Sequence, residues 1–338
     1  MLSFLYGTSY SFVSIILKHI DEKLFNAIRM ISAMIASIVY FGLKSTFEKG
    51  YYKGAMDSIK KRDTPVFHSF ICGILFLGIP VSLITISQQS IPSVIVTLSQ
   101  PCIPLFTMIF AHIALSDEKI SISKLYNQLV ALVGALLTLL PTISPESNSK
   151  DFYISHYIML LVSLILFGIG SVFIKVYLSK SDSVLSCTLS ILGAGLYSLV
   201  SSMVRMNASE LVSSFQKASW SVIFGAIVMG IVFNCVPTFM FLYLIKTLGA
   251  VKANLTNFGQ IIIGIIAGVY FLDEWKDYQL KDKILNYFGI FLISITLTMD
   301  FYNDMKPEND TKKRHDTDND VLFDEEHLFK SVRGSEEE

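Results

Sequence analysis

Three cations interrupt otherwise apolar stretches of this 338-residue chain: Arg29, Lys175 and Lys252. No Asp or Glu lies inside those stretches until Asp300, at the end of the last one. A charge at the centre of a bilayer helix costs on the order of 2.5–3.5 kcal/mol on insertion scales, so an embedded charge normally lines a cavity or has a partner. With no embedded acid to pair with, an anionic ligand is one candidate partner. The other reading is snorkelling, because each of the three lies about one turn from an expected helix end and can reach the interface.

Lys252 stands in the most polar neighbourhood. Asn254, Thr256, Asn257 and Gln260 follow it in the same run, which is too polar for a lipid-facing helix. A second polar group, Thr97, Ser99 and Gln100, adjoins Pro101 and Pro104. Prolines free backbone carbonyls and break the helix, which is tolerated at membrane depth only where the backbone is covered by protein or lines a cavity. The expected ligand-binding set is therefore Arg29, Gln100, Lys252, Asn254, Asn257 and Gln260. Interhelical hydrogen bonding, worth about 0.6 kcal/mol per contact, is the competing explanation for the amides. Asn234, Gln88 and Gln89 are weaker candidates. Tyr10 and Tyr243 could stack on a ligand or sit at the interface.

The elements that must position these residues follow from hydropathy. Hydrophobic residues make up 52% of the chain and charged residues only 16%, against about a quarter charged in a soluble domain. A hydrocarbon core about 30 Å thick needs roughly 20 apolar residues per helix. Ten such segments are expected: Leu2–Leu17, Leu24–Leu43, Val66–Ile86, Ile91–Leu115, Leu125–Leu140, Ile154–Leu178, Val184–Met203, Trp220–Ile245, Leu248–Leu272 and Ile284–Met299. They must be helices, because in lipid the backbone can be satisfied only within the segment. The first lacks the basic start and small-residue cleavage site of a signal peptide and reads as a retained helix, short because it starts at Met1.

Lys and Arg concentrate in the loop around residues 44–62 and in the C-terminal tail, which predicts both termini on the cytoplasmic side. The sequon at Asn207 then falls on the outer or lumenal side. Nothing chooses between a plasma membrane and an internal membrane of the ER or Golgi type. Cys72, Cys102, Cys187 and Cys235 each sit within an apolar run and read as packing residues. From about Asp304 the chain is polar and acidic, the composition of a disordered tail. No basic patch interleaved with aromatics supports nucleic-acid binding.

The chain also repeats itself. A shift of 156 positions carries Ile109 onto Ile265, Ala111 onto Ala267, and Asp117-Glu118 onto Asp273-Glu274. A shift of 155 carries Gly134 onto Gly289 and Leu137 onto Leu292, and Pro80 and Pro237 lie at matching depths. Five helices per half is an odd number, so the halves must be inverted in the membrane, an arrangement recurrent among secondary transporters. The expectation is an all-α polytopic membrane protein of ten transmembrane helices in two inverted five-helix repeats. Residues 1–141 form the first, 142–153 a connecting loop, 154–303 the second and 304–338 the cytoplasmic tail. Gly264 and Gly268 form a Gly-xxx-Gly pair suited to packing between the repeats.

The segment Pro104 to Gly134, a proline, an apolar run, Asp117-Glu118-Lys119-Ile120-Ser121 and a Gly-containing helix, resembles the EamA-like domain of the drug/metabolite transporter superfamily. Gly259 to Gly289 resembles its second copy, and Tyr6-Gly7-Thr8-Ser9-Tyr10 with Arg29 resembles the start of the domain. Asp117 and Asp273 stand where the family usually has glycine, and Gln260 where the second copy usually has proline. The resemblance implies a transporter related to nucleotide-sugar and sugar-phosphate carriers. The function expected is secondary-active, alternating-access transport of a small polar, anionic metabolite. An exporter of neutral or cationic metabolites or drugs, and a non-transporting membrane receptor or scaffold, are the alternatives. No catalytic constellation is visible, so neither an enzyme nor a cofactor is expected. The partners expected are a small-molecule substrate and the lipid bilayer, with a homodimer as an option and no nucleic acid.

Overall fold

The computed structural model describes residues 1–61, 64–115, 122–143, 154–179, 181–254, 256–273, 275–276 and 278–305. The Asp117-Glu118 loop, Glu274, most of the connecting loop and the tail from residue 306 lie outside the described residues, so the duplicated acidic loop is represented only by Asp273. Asp273 is exposed and takes a left-handed φ of 51°.

Among the described residues the protein is all helical. The helices are α1 (Leu2–Ile16), α2 (Glu22–Phe47), α3 (Tyr51–Lys60), α4 (Pro65–Ser87), α5 (Ser93–Ala114), α6 (Ile122–Ile143), α7 (Ile154–Leu178), α8 (Ser183–Arg205), α9 (Ala208–Lys217), α10 (Trp220–Leu248), α11 (Ala250–Val269) and α12 (Leu280–Met305). Seven of these, α2, α4, α5, α7, α8, α10 and α11, are long and apolar enough to cross a membrane. α1 and residues Leu125–Thr138 of α6 are apolar but shorter. Residues up to Thr296 form one compact unit, and Leu297–Met305, the end of α12, belong to a second.

Two of the long helices start at an aspartate cap. Asp21 caps α2 by accepting from the Lys23 amide at 2.9 Å, and Asp182 caps α8 by accepting from the Leu185 amide at 2.8 Å. Three helices depart from α geometry. π-helical segments occupy Gly73–Gly78 in α4, Ile231–Cys235 in α10 and Ile266–Phe271 at the end of the α11 run. The first two lie immediately ahead of Pro80 and Pro237, which remove a backbone donor and force the preceding turn to rearrange. α5 is interrupted at Gln100-Pro101, where the proline pattern places a break.

α2 packs along α8 in antiparallel fashion. Glu22 at the start of α2 pairs with Arg205 at the end of α8, and Tyr51 just beyond α2 donates to Asp182 at the start of α8. The other contacts fall into corresponding sets: α1 on α11 and α7 on α5, α4 on α8 and α10 on α2, α4 on α7 and α10 on α1. Glycines permit the closest of these approaches. A Cβ at Gly73 would lie 1.8 Å from the Ser190 carbonyl oxygen, and one at Gly230 would lie 2.1 Å from that of Arg29. Gly134 and Gly289 face each other, each excluding a Cβ from the other's carbonyl at 2.7 and 2.5 Å. A Cβ at Gly264 would lie 2.4 Å from Thr97 Cγ2 of α5, so the missing side chain lets α11 pack closely on α5. The four cysteines are buried and form no disulfide.

Candidate functional site

Two neighbouring cavities open between the helices, their unfilled space about 470 and 320 Å³ with open solvent included, and share Tyr6 and Tyr10 of α1 and Phe167 of α7 in their walls. The first also takes Ser9 from α1, Arg29 from α2, Gln88 just after α4, and Asn234 and Thr238 from α10. The second is lined by Gln100 at the break of α5 and by Asn254, Asn257 and Gln260 of α11. Stacked rings of Phe76 and Phe241, 5.6 Å apart, close its apolar side.

Arg29 is the charged residue of these walls. Its side chain is 7% exposed, and Nη2 donates to the Asn234 side-chain oxygen at 2.8 Å. Its Nε meets no acceptor, and the Asn234 amide nitrogen, held beside it, has no partner either. No carboxylate pairs with Arg29 among the described residues. The guanidinium carbon lies 5.6 Å from the Phe25 ring centroid, a contact that offsets part of the desolvation. Asn234 reaches this position from the π segment of α10, where the extra residue per turn shifts side chains around the helix. Across the cavity the Gln88 side-chain nitrogen donates to the Tyr10 carbonyl at 2.9 Å, while its oxygen is buried without a donor.

The amides of the second cavity are largely occupied with each other and with α5. Asn254 donates to the Thr107 hydroxyl at 3.1 Å and to the Ala250 carbonyl at 2.9 Å, and Asn257 donates to Asn254 at 3.3 Å. Gln100 donates to the Val96 carbonyl at 3.0 Å, freed by the helix break. Gln260, 1% exposed, has an amide nitrogen with no partner. The interhelical hydrogen-bonding explanation therefore accounts for Asn254, whereas Gln260 keeps a donor in reserve.

Five of the six residues expected from sequence, Arg29, Gln100, Asn254, Asn257 and Gln260, are brought together around these cavities. Lys252 is not. It is exposed and lines neither cavity, because it is the third residue of α11 and its long side chain leaves the protein near the helix start. Of the weaker candidates, Asn234, Gln88 and Tyr10 line the walls, whereas Tyr243 is exposed. Tyr6, Ser9, Phe167 and Thr238 also line the walls, although they are not among the ligand-binding residues expected from sequence. A polar side chain three residues before an intrahelical proline, as at Asn234, is the one sequence signal that marks this wall.

Residues 1–140 match the EamA-like transporter family. A solved structure described only as the crystal structure of a protein is similar over 90% of this chain and 98% of its own, with a TM-score of 0.56 and 11% sequence identity, a likeness of fold. No curated protein matches. With seven helices of membrane-crossing character, the chain is an integral membrane protein whose first 140 residues match a transporter family.

Proposed function

We propose that the protein is a secondary-active carrier, not an enzyme, that moves a small polar anion by alternating access between two inverted five-helix halves, residues 1–141 and 154–303. The antiparallel packing of α2 on α8, the paired sets of helix contacts and the mutual contact of Gly134 with Gly289 support the two-half reading. Residues related by a two-fold axis touch each other only on that axis, and Gly134 and Gly289 are the pair that the sequence repeat equates. In this reading α1, the core of α6 and α12 complete ten spans, and both termini are cytoplasmic.

The observation that carries the anion assignment is the buried Arg29 guanidinium, whose Nε meets no acceptor and which has no carboxylate counter-ion among the described residues. An unpaired buried cation is expensive unless something fills the site. The ligand's negative charge supplies that partner, and Gln100, Asn257 and Gln260 contact its uncharged part. Lys252 has no part in the site.

The test is uptake by liposomes containing the purified protein, screened against small organic anions, neutral solutes and cations of similar size. Anion uptake that falls at least tenfold in Arg29→Gln is expected, since a hydrogen bond to a charged group is worth about 1.5–3 kcal/mol. Uptake of cations alone, unchanged in Arg29→Gln, would sink the assignment.

A further inference from the structure

We propose that the ligand is an organic monocarboxylate without an ammonium group, and not a phosphate ester. Its carboxylate sits on Arg29 and Asn234, and a neutral oxygen at its far end reaches Gln260. This rests on the carrier reading above and names the substrate class of that site.

Charge decides against phosphate. Arg29 is the charged residue lining the two cavities among the described residues, so the walls carry a formal charge of +1. A carboxylate brings the occupied site to neutrality. A phosphate monoester carries about −1.5 to −2 near pH 7, which leaves excess negative charge where burial of an unpaired charge costs several kcal/mol. The donor set points the same way. Arg29 Nε and the Asn234 amide nitrogen are both buried without acceptors, on groups already joined by a 2.8 Å hydrogen bond. Two free donors on adjoining groups suit the two oxygens of a carboxylate.

Charge also argues against amino acids. An α-ammonium would put a second cation beside Arg29, and the acceptors lining the first cavity among the described residues, the buried unpartnered Gln88 oxygen included, are all neutral. A hydroxyl donor suits that oxygen without adding charge. The body of the ligand is constrained by the shared walls: Tyr6, Tyr10 and Phe167 border both cavities and offer aromatic surface to a flat or apolar segment. Beyond them the unpartnered Gln260 nitrogen calls for an acceptor oxygen. An aryl hydroxy acid such as 4-hydroxyphenyllactate combines these features and serves as a probe of the class.

The experiment compares 4-hydroxyphenyllactate, phenyllactate, tyrosine and phosphotyrosine, with glucose 6-phosphate and the cation tyramine, by thermal unfolding of the full-length protein and by counterflow in liposomes. The two hydroxy acids are expected to stabilise the wild type and drive counterflow, with tyrosine and the phosphate esters at least tenfold weaker. Gln260→Leu is expected to erase the preference for 4-hydroxyphenyllactate over phenyllactate without abolishing either. Should Arg29→Gln fail to fold, Asn234→Ala provides the second reading, with a weakened response to both hydroxy acids. Phosphate esters active where the carboxylates are silent would overturn this inference and leave the anion carrier standing. Silence of both carboxylates, or equal activity of tyrosine, also overturns it. Counterflow by tyramine alone, indifferent to Arg29→Gln, removes both readings.

Discussion

Gly230→Ala tests whether the seam between α2 and α10 sets the geometry of the Arg29 site. A Cβ added there would lie 2.1 Å from the Arg29 carbonyl oxygen and 1.9 Å from the Ser32 hydroxyl oxygen. Ser32 can change rotamer, but the carbonyl belongs to α2's backbone and cannot step aside alone. Close C···O contacts run about 3.3–3.6 Å, so the two helices must separate by about 1 Å. Asn234 lies one turn further along α10 and Arg29 is the residue being pushed, so their 2.8 Å hydrogen bond opens with the seam. Overpacking of this kind costs about 1–3 kcal/mol, and loss of a charged hydrogen bond about 1.5–3 kcal/mol. Gly225→Ala is the control, because a Cβ there meets only Ile16 side-chain carbons at 3.4 Å and beyond. Thermal unfolding in detergent and liposome uptake are measured for both. Gly230→Ala should melt several degrees below the wild type and lose most uptake, while Gly225→Ala stays close to wild type in both. Equal behaviour of the two variants refutes the argument.

Two further predictions concern the ends of the α2–α8 pair. Arg205→Met leaves Glu22, 3% exposed, without its cation and should destabilise by about 1.5–3 kcal/mol, with Glu22→Gln in the same chain restoring most of the loss; a double-mutant cycle showing simple additivity would count against the pairing. At the other end burial raises the Asp182 carboxyl, but the Leu185 amide and the Tyr51 hydroxyl outweigh it and hold the group below the usual carboxylate range. Burial, and then Asp182 itself, push the Tyr51 hydroxyl above its ordinary range. A lowered carboxylate contributes stability that is complete above its unfolded value, about 3.9, and lost as pH falls through the lower folded value. The difference in melting temperature between wild type and Tyr51→Phe should therefore be flat from pH 5 to 8 and shrink only below about 4; shrinkage already between pH 7 and 5 would contradict it.

Helix positions were legible because most apolar runs are bounded by charge, the third and fourth being parted instead by the polar Ser87-Gln88-Gln89-Ser90, and the α5 break was legible from Pro101. Depth was less so. Arg29 and Lys252 both stand about one turn inside an expected span, and hydropathy therefore treats them alike. The Asp21 cap starts α2 at Glu22, which puts Arg29 seven residues, about 10 Å, into the helix. Lys252 is two residues, about 3 Å, past the start of α11. Polar and charged residues near a helix start weigh little in a hydropathy sum, yet they decide which cation can reach water. The π segments were invisible for a related reason: they change the azimuth of Leu77 and Asn234 without changing the composition of the run.

The repeat itself misdirects the search for a site if only its matches are followed. Those matches lead to the fourth and ninth expected spans, where the structure finds amides mostly bonded to one another and to α5. The charged group sits where the halves differ. The caps Asp21 and Asp182 are 161 residues apart, and the same shift carries Arg29 onto Ser190. The local packing is alike at the two positions, since Gly230 lies against Arg29 and Ser32 while Gly73 lies against Ser190. Ser190 donates its hydroxyl to the Ser69 carbonyl at 2.8 Å and lines neither cavity. In the carrier reading proposed above, the matched glycines and prolines build two similar frames that rock against each other, and a cation in one frame alone gives the space between them a polar end. A ligand bound there must be correspondingly one-ended, with its charge toward α2 and its uncharged body toward α11.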